Sequence, residues 1–104
     1  MIVRRFTAKA TEENAKKYYA FFENKLVPHL RSVPGHRGAL VFSRITRRGN
    51  VRITVLTFWD SMAAIAKFAG DSLKAAVEPE ARELLDSFND EVTHWALEVD
   101  ALTD

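Results

Sequence analysis

Apolar residues recur along the chain with two different periods, and these periods predict the order of its secondary structure. The segments MIVRRFTAK, ALVFSRIT, VRITVLTFW and VTHWALEV are rich in β-branched and aromatic residues, as is typical of strands. In TEENAKKYYAFFENKLVPHLRSV the apolar residues recur at helical spacing, which predicts an amphipathic helix. A second helical region follows the third strand. The order is β-α-β-β-α-β, an α+β ferredoxin-like fold with a four-stranded antiparallel sheet and the helices on one face.

Local signals mark where these elements begin and end. Thr11 is the predicted N-cap of the first helix, because its hydroxyl can accept a hydrogen bond from a first-turn N–H. Pro28 lacks an N–H and crowds the carbonyl of the preceding turn, so it is predicted to bend or break this helix near its end. The RRGN segment predicts a hairpin turn between the second and third strands.

The segment after the third strand predicts a short helix and then further helical turns. Asp60 or Ser61 is its predicted N-cap, and Gly70 its predicted C-terminal end. Residues 71–88 are predicted to form two further helical turns, separated at Pro79. The predicted inner face of the short helix consists of Met62, Ile65, Phe68 and Ala69.

Both faces of the predicted sheet are apolar, which indicates that something covers each of them. In the third strand, Val55 alternates with Leu56 and Phe58. Helices on one side leave the other face open, and a second copy of the chain is the simplest cover. We therefore predict a homodimer, with the two sheets forming a dimeric α+β barrel.

Composition limits the classes of function. The 104 residues suit a single domain, 1–104, and 47% of them are hydrophobic. A formal net charge of +1 gives no field for nucleic acid or anionic lipid, so neither is an expected partner. The absence of cysteine excludes disulfides and thiolate ligands. Arginines interrupt the apolar N-terminal stretch, which resembles neither a signal peptide nor a membrane span, so we expect a cytoplasmic protein.

Three segments together carry a resemblance that extends over essentially the whole chain. They are SVPGHRGALVFSR, ITVLTFWDSMAAIAKFAGDSLKAAVEPEARELL and EVTHWALEV. With them the chain resembles the antibiotic biosynthesis monooxygenase-like proteins of the dimeric α+β barrel superfamily. The resemblance implies the same fold and dimer. It also implies several kinds of function, since the superfamily includes cofactor-free oxygenases, heme-degrading enzymes, other heme proteins, isomerase-like enzymes and members without an assigned activity.

Within this resemblance, heme degradation is disfavoured. The heme-degrading branch uses a tryptophan at the end of this strand, where Trp59 stands here, together with a later histidine and an asparagine on the first strand. Ala69 stands at or beside the histidine position, and Phe6 stands at the asparagine position. The resemblance then favours a cofactor-independent monooxygenase, acting on a small aromatic or polyketide-like substrate in a pocket between helices and sheet.

Trp59 and His94 are the candidate catalytic residues. The indole N–H of Trp59 is a hydrogen-bond donor for a developing phenolate, and its alternative role is to fill the joint between strand and helix. His94 faces inward by strand alternation and has a side chain suited to base chemistry near neutral pH. Its alternative role is that of a buried histidine bonded to a carbonyl or a tyrosine.

The candidate pocket residues are mostly aromatic. They are Phe6, Tyr18, Phe22, His29 and Phe68. Phenylalanines, among them Phe88, can also fill this space, and the alternative function is then a non-catalytic ligand-binding or structural homodimer. The histidines do not have metal-ligand spacing, so neither a metal nor another cofactor is predicted.

Two further features bear on ligands. Arg4 and Arg5 point to opposite faces of one strand, so one of them is predicted to be partly buried. Such an arginine needs a carboxylate partner or marks a site for an anionic ligand. RNA binding, which the same topology can support, is excluded because VRITVLTF lacks the glycine and aromatic positions of the RNA-recognition pattern.

Overall fold

The computed structural model describes residues 1–46, 49–70 and 74–103. Its strands are β1 (Ile2–Thr11), β2 (His36–Ile45), β3 (Asn50–Trp59), β4 (Ser87–Phe88) and β5 (Thr93–Ala96). Its helices are α1 (Glu12–Phe21), α2 (Val27–Arg31), α3 (Met62–Ala69) and α4 (Pro79–Leu84), and a π-helical turn, Phe22–Leu26, joins α1 to α2. The fold is ferredoxin-like, with an antiparallel sheet and the helices on one face.

The sheet has five strands rather than the predicted four. Its order is β2-β3-β1, and both β4 and β5 pair with the edge of β1 that lies opposite β3. The two short strands pair with different parts of β1, because β4 lies opposite Ala8 and Lys9 whereas β5 lies opposite residues 2–5. The single last strand predicted over 92–99 is thus shortened, and Ser87–Phe88, predicted to be helical, is a strand.

The first helical region follows its predicted start and changes its helix type before Pro28. The Thr11 hydroxyl accepts a hydrogen bond from the Asn14 N–H at 3.1 Å, which confirms the N-cap. The predicted break is a π turn, in which the Val27 N–H bonds to the Phe22 carbonyl. The wider turn precedes the proline, which lies in the first turn of α2, where a missing N–H leaves no bond unmade.

Proline also explains where the helical prediction fails near the end of the chain. Residues 75–78 have no helical structure, and Glu78 has an extended ψ of 144°. Proline disfavours helical geometry in the residue before it and is well suited to the first helical position, so Pro79 begins α4 instead of separating two turns. Residues 71–73 of that prediction, and Arg47 and Arg48 of the predicted hairpin turn, lie outside the described residues.

The short helix α3 begins and ends as predicted, but its inner face differs. Ser61 is the N-cap, and its hydroxyl accepts from the Ala64 N–H at 3.2 Å. Asp60 instead accepts hydrogen bonds from the Arg37 guanidinium. Met62 is 47% exposed, which corrects its predicted inward position. The residues of α3 that the structure buries are Ala64 and Ile65.

Gly35 joins the end of the first helical region to α3 by close contact. Its φ is +87°, its carbonyl accepts from the Asp60 N–H at 2.8 Å, and an added Cβ would lie 2.5 Å from the Ala64 Cβ. We expect Gly35→Ala to lower the free energy of unfolding by about 1–3 kcal/mol, because it adds a steric clash to an unfavourable backbone angle. Gly70→Ala is the matched control, since its φ of +76° is similar and nothing lies near its Cβ position. Equal losses in urea unfolding of the two variants would contradict a steric role for Gly35.

Candidate functional site

A cavity lies between the first helical region, the inner face of the sheet and the segment that leads into α4. The volume of this cavity is about 60 Å³. Its walls are mainly apolar and aromatic, and its polar lining residues are Arg4, Tyr18, Thr57 and Glu78. Its lining resembles that of a small-molecule site, in which an apolar enclosure presents a few polar groups, but its volume is smaller than the roughly 300–1,000 Å³ of such sites.

Two polar residues of the cavity lining, Arg4 and Thr57, come from adjacent strands at one level of the sheet, and His94 lies beside Arg4 outside the lining. Arg4 on β1 is paired with His94 on β5 and with Thr57 on β3. Directly opposite residues in antiparallel strands point to the same face, so the three side chains form a row across the sheet. We call this row, His94–Arg4–Thr57, the polar row.

Arg4 is the centre of the polar row and is only 5% exposed. One of its terminal nitrogens (Nη1) donates to His94 Nε2 at 3.0 Å, and the other (Nη2) donates to the Lys74 carbonyl at 3.2 Å. Burial lowers the pKa of Arg4 from its ordinary value, but a guanidinium remains charged at any physiological pH. The floor of the cavity therefore carries a positive charge.

Trp59 lies beside the cavity rather than in its lining. It is fully buried, with its ring centroid 5.5 Å from that of Phe68 and 5.0 Å from that of His36. Its indole N–H donates to the Thr57 hydroxyl at 2.8 Å. This bond occupies the only donor of the indole, so Trp59 acts on the cavity through Thr57 and Phe68.

His94 is partly buried and is held by Arg4. A guanidinium cannot accept a hydrogen bond, so His94 Nε2 must be the acceptor and the neutral ring carries its proton on Nδ1. The pKa of His94 is lowered, first by burial and then by the charge of Arg4. The imidazole is thus neutral near pH 7, and its lone pair points at Arg4.

Tyr18 brings a phenolic hydroxyl from α1 to the cavity. It is 4% exposed, and burial raises its pKa to about 12. Its hydroxyl therefore stays protonated at physiological pH and can serve as a hydrogen-bond donor.

The structure brings most of the predicted pocket residues to one place. Phe6, Tyr18, Phe22 and Phe68 line the cavity. His29 does not: it is exposed on α2, and its ring lies 6.1 Å from Phe68 on the outer side. Pro28 lies in the first turn of α2, so the side chain of His29 follows the orientation of α2 and not that of α1.

Thr57 is absent from the predicted site residues, and Arg4 is one of two alternatives for the buried arginine of β1. The signal for both was strand alternation. Arg4 shares its face with Phe6 and Ala8, and Thr57 shares its face with Val55 and Trp59, so each polar residue interrupts an inward-facing apolar series. A polar residue in such a series is either satisfied within the fold or functional.

Neither a metal site nor a membrane-spanning helix is found among the described residues. Among residues 1–46, 49–70 and 74–103, no group of three or more His, Cys, Asp and Glu side chains is arranged to hold a metal ion. In the same ranges, no helix has the length and apolar character needed to cross a membrane.

Comparisons with known proteins place the fold among solved structures. No family model matches the chain, and no curated protein matches its sequence. A candidate antibiotic biosynthesis monooxygenase from Bacillus cereus is similar at TM-score 0.65 and 14% identity, over 98% of this chain and 97% of that one. A dimeric ferredoxin-like protein from an uncultured marine organism has TM-score 0.67 and 10% identity, over 96% and 97%.

Two further similar structures have described activities or ligands. SnoaB from Streptomyces nogalater, a cofactor-independent oxygenase, has TM-score 0.53 and 14% identity, over 96% of this chain and 93% of that one. A mutant of MhuD with manganese protoporphyrin IX bound has TM-score 0.63 and 16% identity, over 99% and 100%. At these identities the similarity establishes the fold, which antibiotic biosynthesis monooxygenase-like proteins share.

Proposed function

We propose that this protein is a cofactor-independent monooxygenase that oxidises a small aromatic hydroxyl compound in the cavity beneath α1. The observation that carries the proposal is the cavity itself, an aromatic enclosure with a buried guanidinium on its floor. The similar fold of a cofactor-independent oxygenase supports it. Such chemistry requires an apolar pocket, a base and charge stabilisation, and the residues around this cavity include candidates for each.

The proposed reaction needs no external reductant. A phenol loses its hydroxyl proton, and the phenolate gives an electron to dioxygen. The resulting radical pair combines into a ring hydroperoxide, which loses water to leave a quinone. One oxygen atom of dioxygen enters the quinone and the other leaves as water, so atoms and electrons balance. The role of Arg4 is to favour the phenolate, and Tyr18 donates its neutral hydroxyl to the oxygen atoms that gain charge.

His94 is the proposed base. Its neutral imidazole accepts a hydrogen bond from Arg4, and a substrate oxygen that takes over this bond frees Nε2 for the proton. Burial and the charge of Arg4 lower the pKa of His94. The ring therefore stays neutral, and able to accept a proton, at pH values at which an ordinary histidine is already charged. In this proposal Trp59 holds Thr57 and Phe68 in place and does not touch the substrate.

A second candidate function is ligand binding without catalysis. It is favoured by the hydrogen bond that occupies the His94 lone pair and by the small size of the cavity. The size also speaks against a porphyrin, and Ala69 supplies no axial ligand. Both candidate functions use the same cavity and differ in whether dioxygen is consumed.

The protein is also proposed to be a homodimer. The helices cover one face of the sheet, while large apolar side chains on the other face remain exposed: Leu40 by 40%, Phe42 by 50% and Trp95 by 58%. A protein of similar fold is described as dimeric. A second copy placed against this face would cover these side chains.

Dioxygen uptake with one-ring phenols tests the proposed activity. We expect uptake with quinone formation, falling as the pH drops below the lowered pKa of His94. His94→Gln should reduce the rate by about 100-fold or more and abolish this pH limb, since general-base catalysis typically contributes that much. His29→Gln is the control, because His29 is exposed on α2 and is not part of the polar row, so its substitution should leave the rate unchanged. Phenol binding without uptake would contradict catalysis and leave the binding function.

A further inference from the structure

The buried guanidinium of Arg4 has no carboxylate partner among the described residues. Arg4 is 5% exposed, yet its hydrogen-bond acceptors are an imidazole nitrogen and a backbone carbonyl. The described ion pairs of the protein lie elsewhere, at exposed side chains. Buried charges are normally paired, so a cation at the floor of a cavity with no carboxylate partner among the described residues favours an anion in that cavity.

The arrangement around Arg4 leaves it able to bind an incoming group. A guanidinium has five N–H donors, and the two described hydrogen bonds leave donors for a further acceptor. Both acceptors are neutral, because burial and then the charge of Arg4 lower the pKa of His94 and keep that ring from adding a competing positive charge. The charge on the floor is thus localised on a side chain with the fork geometry that suits carboxylates and other oxyanions.

Thr57 adds a second donor at the same level. Its oxygen accepts the Trp59 indole N–H at 2.8 Å, so its own hydroxyl proton points away from that bond. Thr57 lines the cavity opposite Arg4 in the strand register. The fully buried Trp59 therefore acts as a positioning residue that orients the Thr57 hydroxyl.

We propose that the cavity selects aromatic ligands that carry an acidic oxygen group, a carboxylate or an acidic hydroxyl, which binds to Arg4 and Thr57 while the ring lies among the phenylalanines. The acidic residue in the cavity lining, Glu78, is exposed at the N-cap of α4 and forms no described ion pair with Arg4. The inference rests on the proposed function for the position of the ligand. It adds that the cavity prefers a ligand that is already anionic when it binds, whereas the proposed oxidation forms its phenolate within the site.

An isosteric series of ligands tests the charge preference. Benzoate, benzamide and benzamidinium have the same ring and nearly the same shape but carry negative, zero and positive charge. Titration calorimetry on the native protein should give benzoate at least about 10-fold tighter binding than benzamide, as expected of a charge-assisted hydrogen bond, and no benzamidinium binding. 4-Nitrophenolate in the same assay distinguishes an acidic hydroxyl from a carboxylate as the preferred group.

Neighbouring arginines provide matched variants. Arg4→Gln and Arg4→Met should abolish the preference for benzoate, and Arg4→Lys should restore part of it. Arg5→Gln removes the same charge from the exposed outer face of β1 and should leave the preference unchanged. In a Trp95→Phe background Trp59 is the remaining tryptophan, so a fluorescence change on adding benzoate places the ligand near the polar row.

The inference is overturned if native protein binds benzoate no better than benzamide, or binds neither at millimolar concentration. It is also overturned if folded Arg4→Gln keeps the preference. Because benzoate, benzamide and benzamidinium carry no ring hydroxyl, they are not substrates of the proposed oxidation, and the preference among them is independent of turnover. Selective benzoate binding without phenol oxidation would support the charge preference and contradict the oxygenase. Phenol oxidation without a preference for benzoate would support the oxygenase and contradict the charge preference.

Discussion

Trp59→Ala is expected to lower the free energy of unfolding by about 3–5 kcal/mol, which is the usual range for deleting a buried tryptophan. Trp59 is fully buried against Phe68 and His36 at the point where β3 leads into α3. Its removal would leave a cavity at this joint and unpair the Thr57 hydroxyl. Against a total stability of about 5–15 kcal/mol, this loss would unfold a large fraction of the molecules on modest heating. Urea unfolding followed by circular dichroism measures it.

The other tryptophan supplies the control. Trp95 donates its indole N–H to the hydroxyl of Thr93, two residues earlier, at the same 2.8 Å, but is 58% exposed. Trp95→Ala therefore loses an equivalent hydrogen bond with little burial, and any loss that comes from subunit association should depend on protein concentration. A Trp59→Ala loss no larger than that of Trp95→Ala at low concentration would contradict the structural role. Trp59→Phe should recover part of the stability, because the aromatic ring remains.

Two roles for Trp59 are compatible with the sequence, a donor in the pocket and a residue that fills the joint between strand and helix, and the structure separates them. Burial and an occupied N–H make it a core residue, which strand alternation could predict. Its link to the cavity through Thr57 could not be predicted, because the choice of acceptor depends on a rotamer. The same holds for His94. Alternation predicted that it faces inward, but only the register between β5 and β1 shows that its lone pair points at Arg4.

The fold could be predicted where local chemistry and periodicity agree, and less well where they conflict. The N-cap at Thr11 and the alternation in β3 each specify one structure. Residues 75–78 have helix-forming composition, but the proline that follows them disfavours helix in the residue before it and starts a new one. The strand β4 has only two residues, which is too short to show a period. Its pairing depends on where the chain after α4 meets β1, which the local sequence does not specify.

Phe42→Glu is expected to convert the proposed homodimer into a monomer. Phe42 is 50% exposed on β2, on the sheet face away from the helices, so a glutamate there is solvated in the free subunit. In a two-fold interface the substitution occurs twice, and each buried, unpaired carboxylate costs several kcal/mol. The dissociation constant should therefore rise by at least about 100-fold, since 1.4 kcal/mol corresponds to tenfold. Light scattering at micromolar concentration should give a mass near 11.8 kDa for this variant and twice that for the native protein.

Met62→Glu separates the sheet face from the helix side. Met62 is 47% exposed, close to the exposure of Phe42, but lies on α3. The sheet-to-sheet dimer predicts that Met62→Glu keeps the native mass, because the added charge stays in solvent. A dimer that Met62→Glu dissociates and Phe42→Glu does not would place the interface on the helices, and a native monomer would contradict association altogether. The polar row and the cavity lie on the helix side of the sheet, so in a sheet-to-sheet dimer the partner subunit does not contact them. The preference of the cavity for benzoate should therefore survive in the Phe42→Glu monomer.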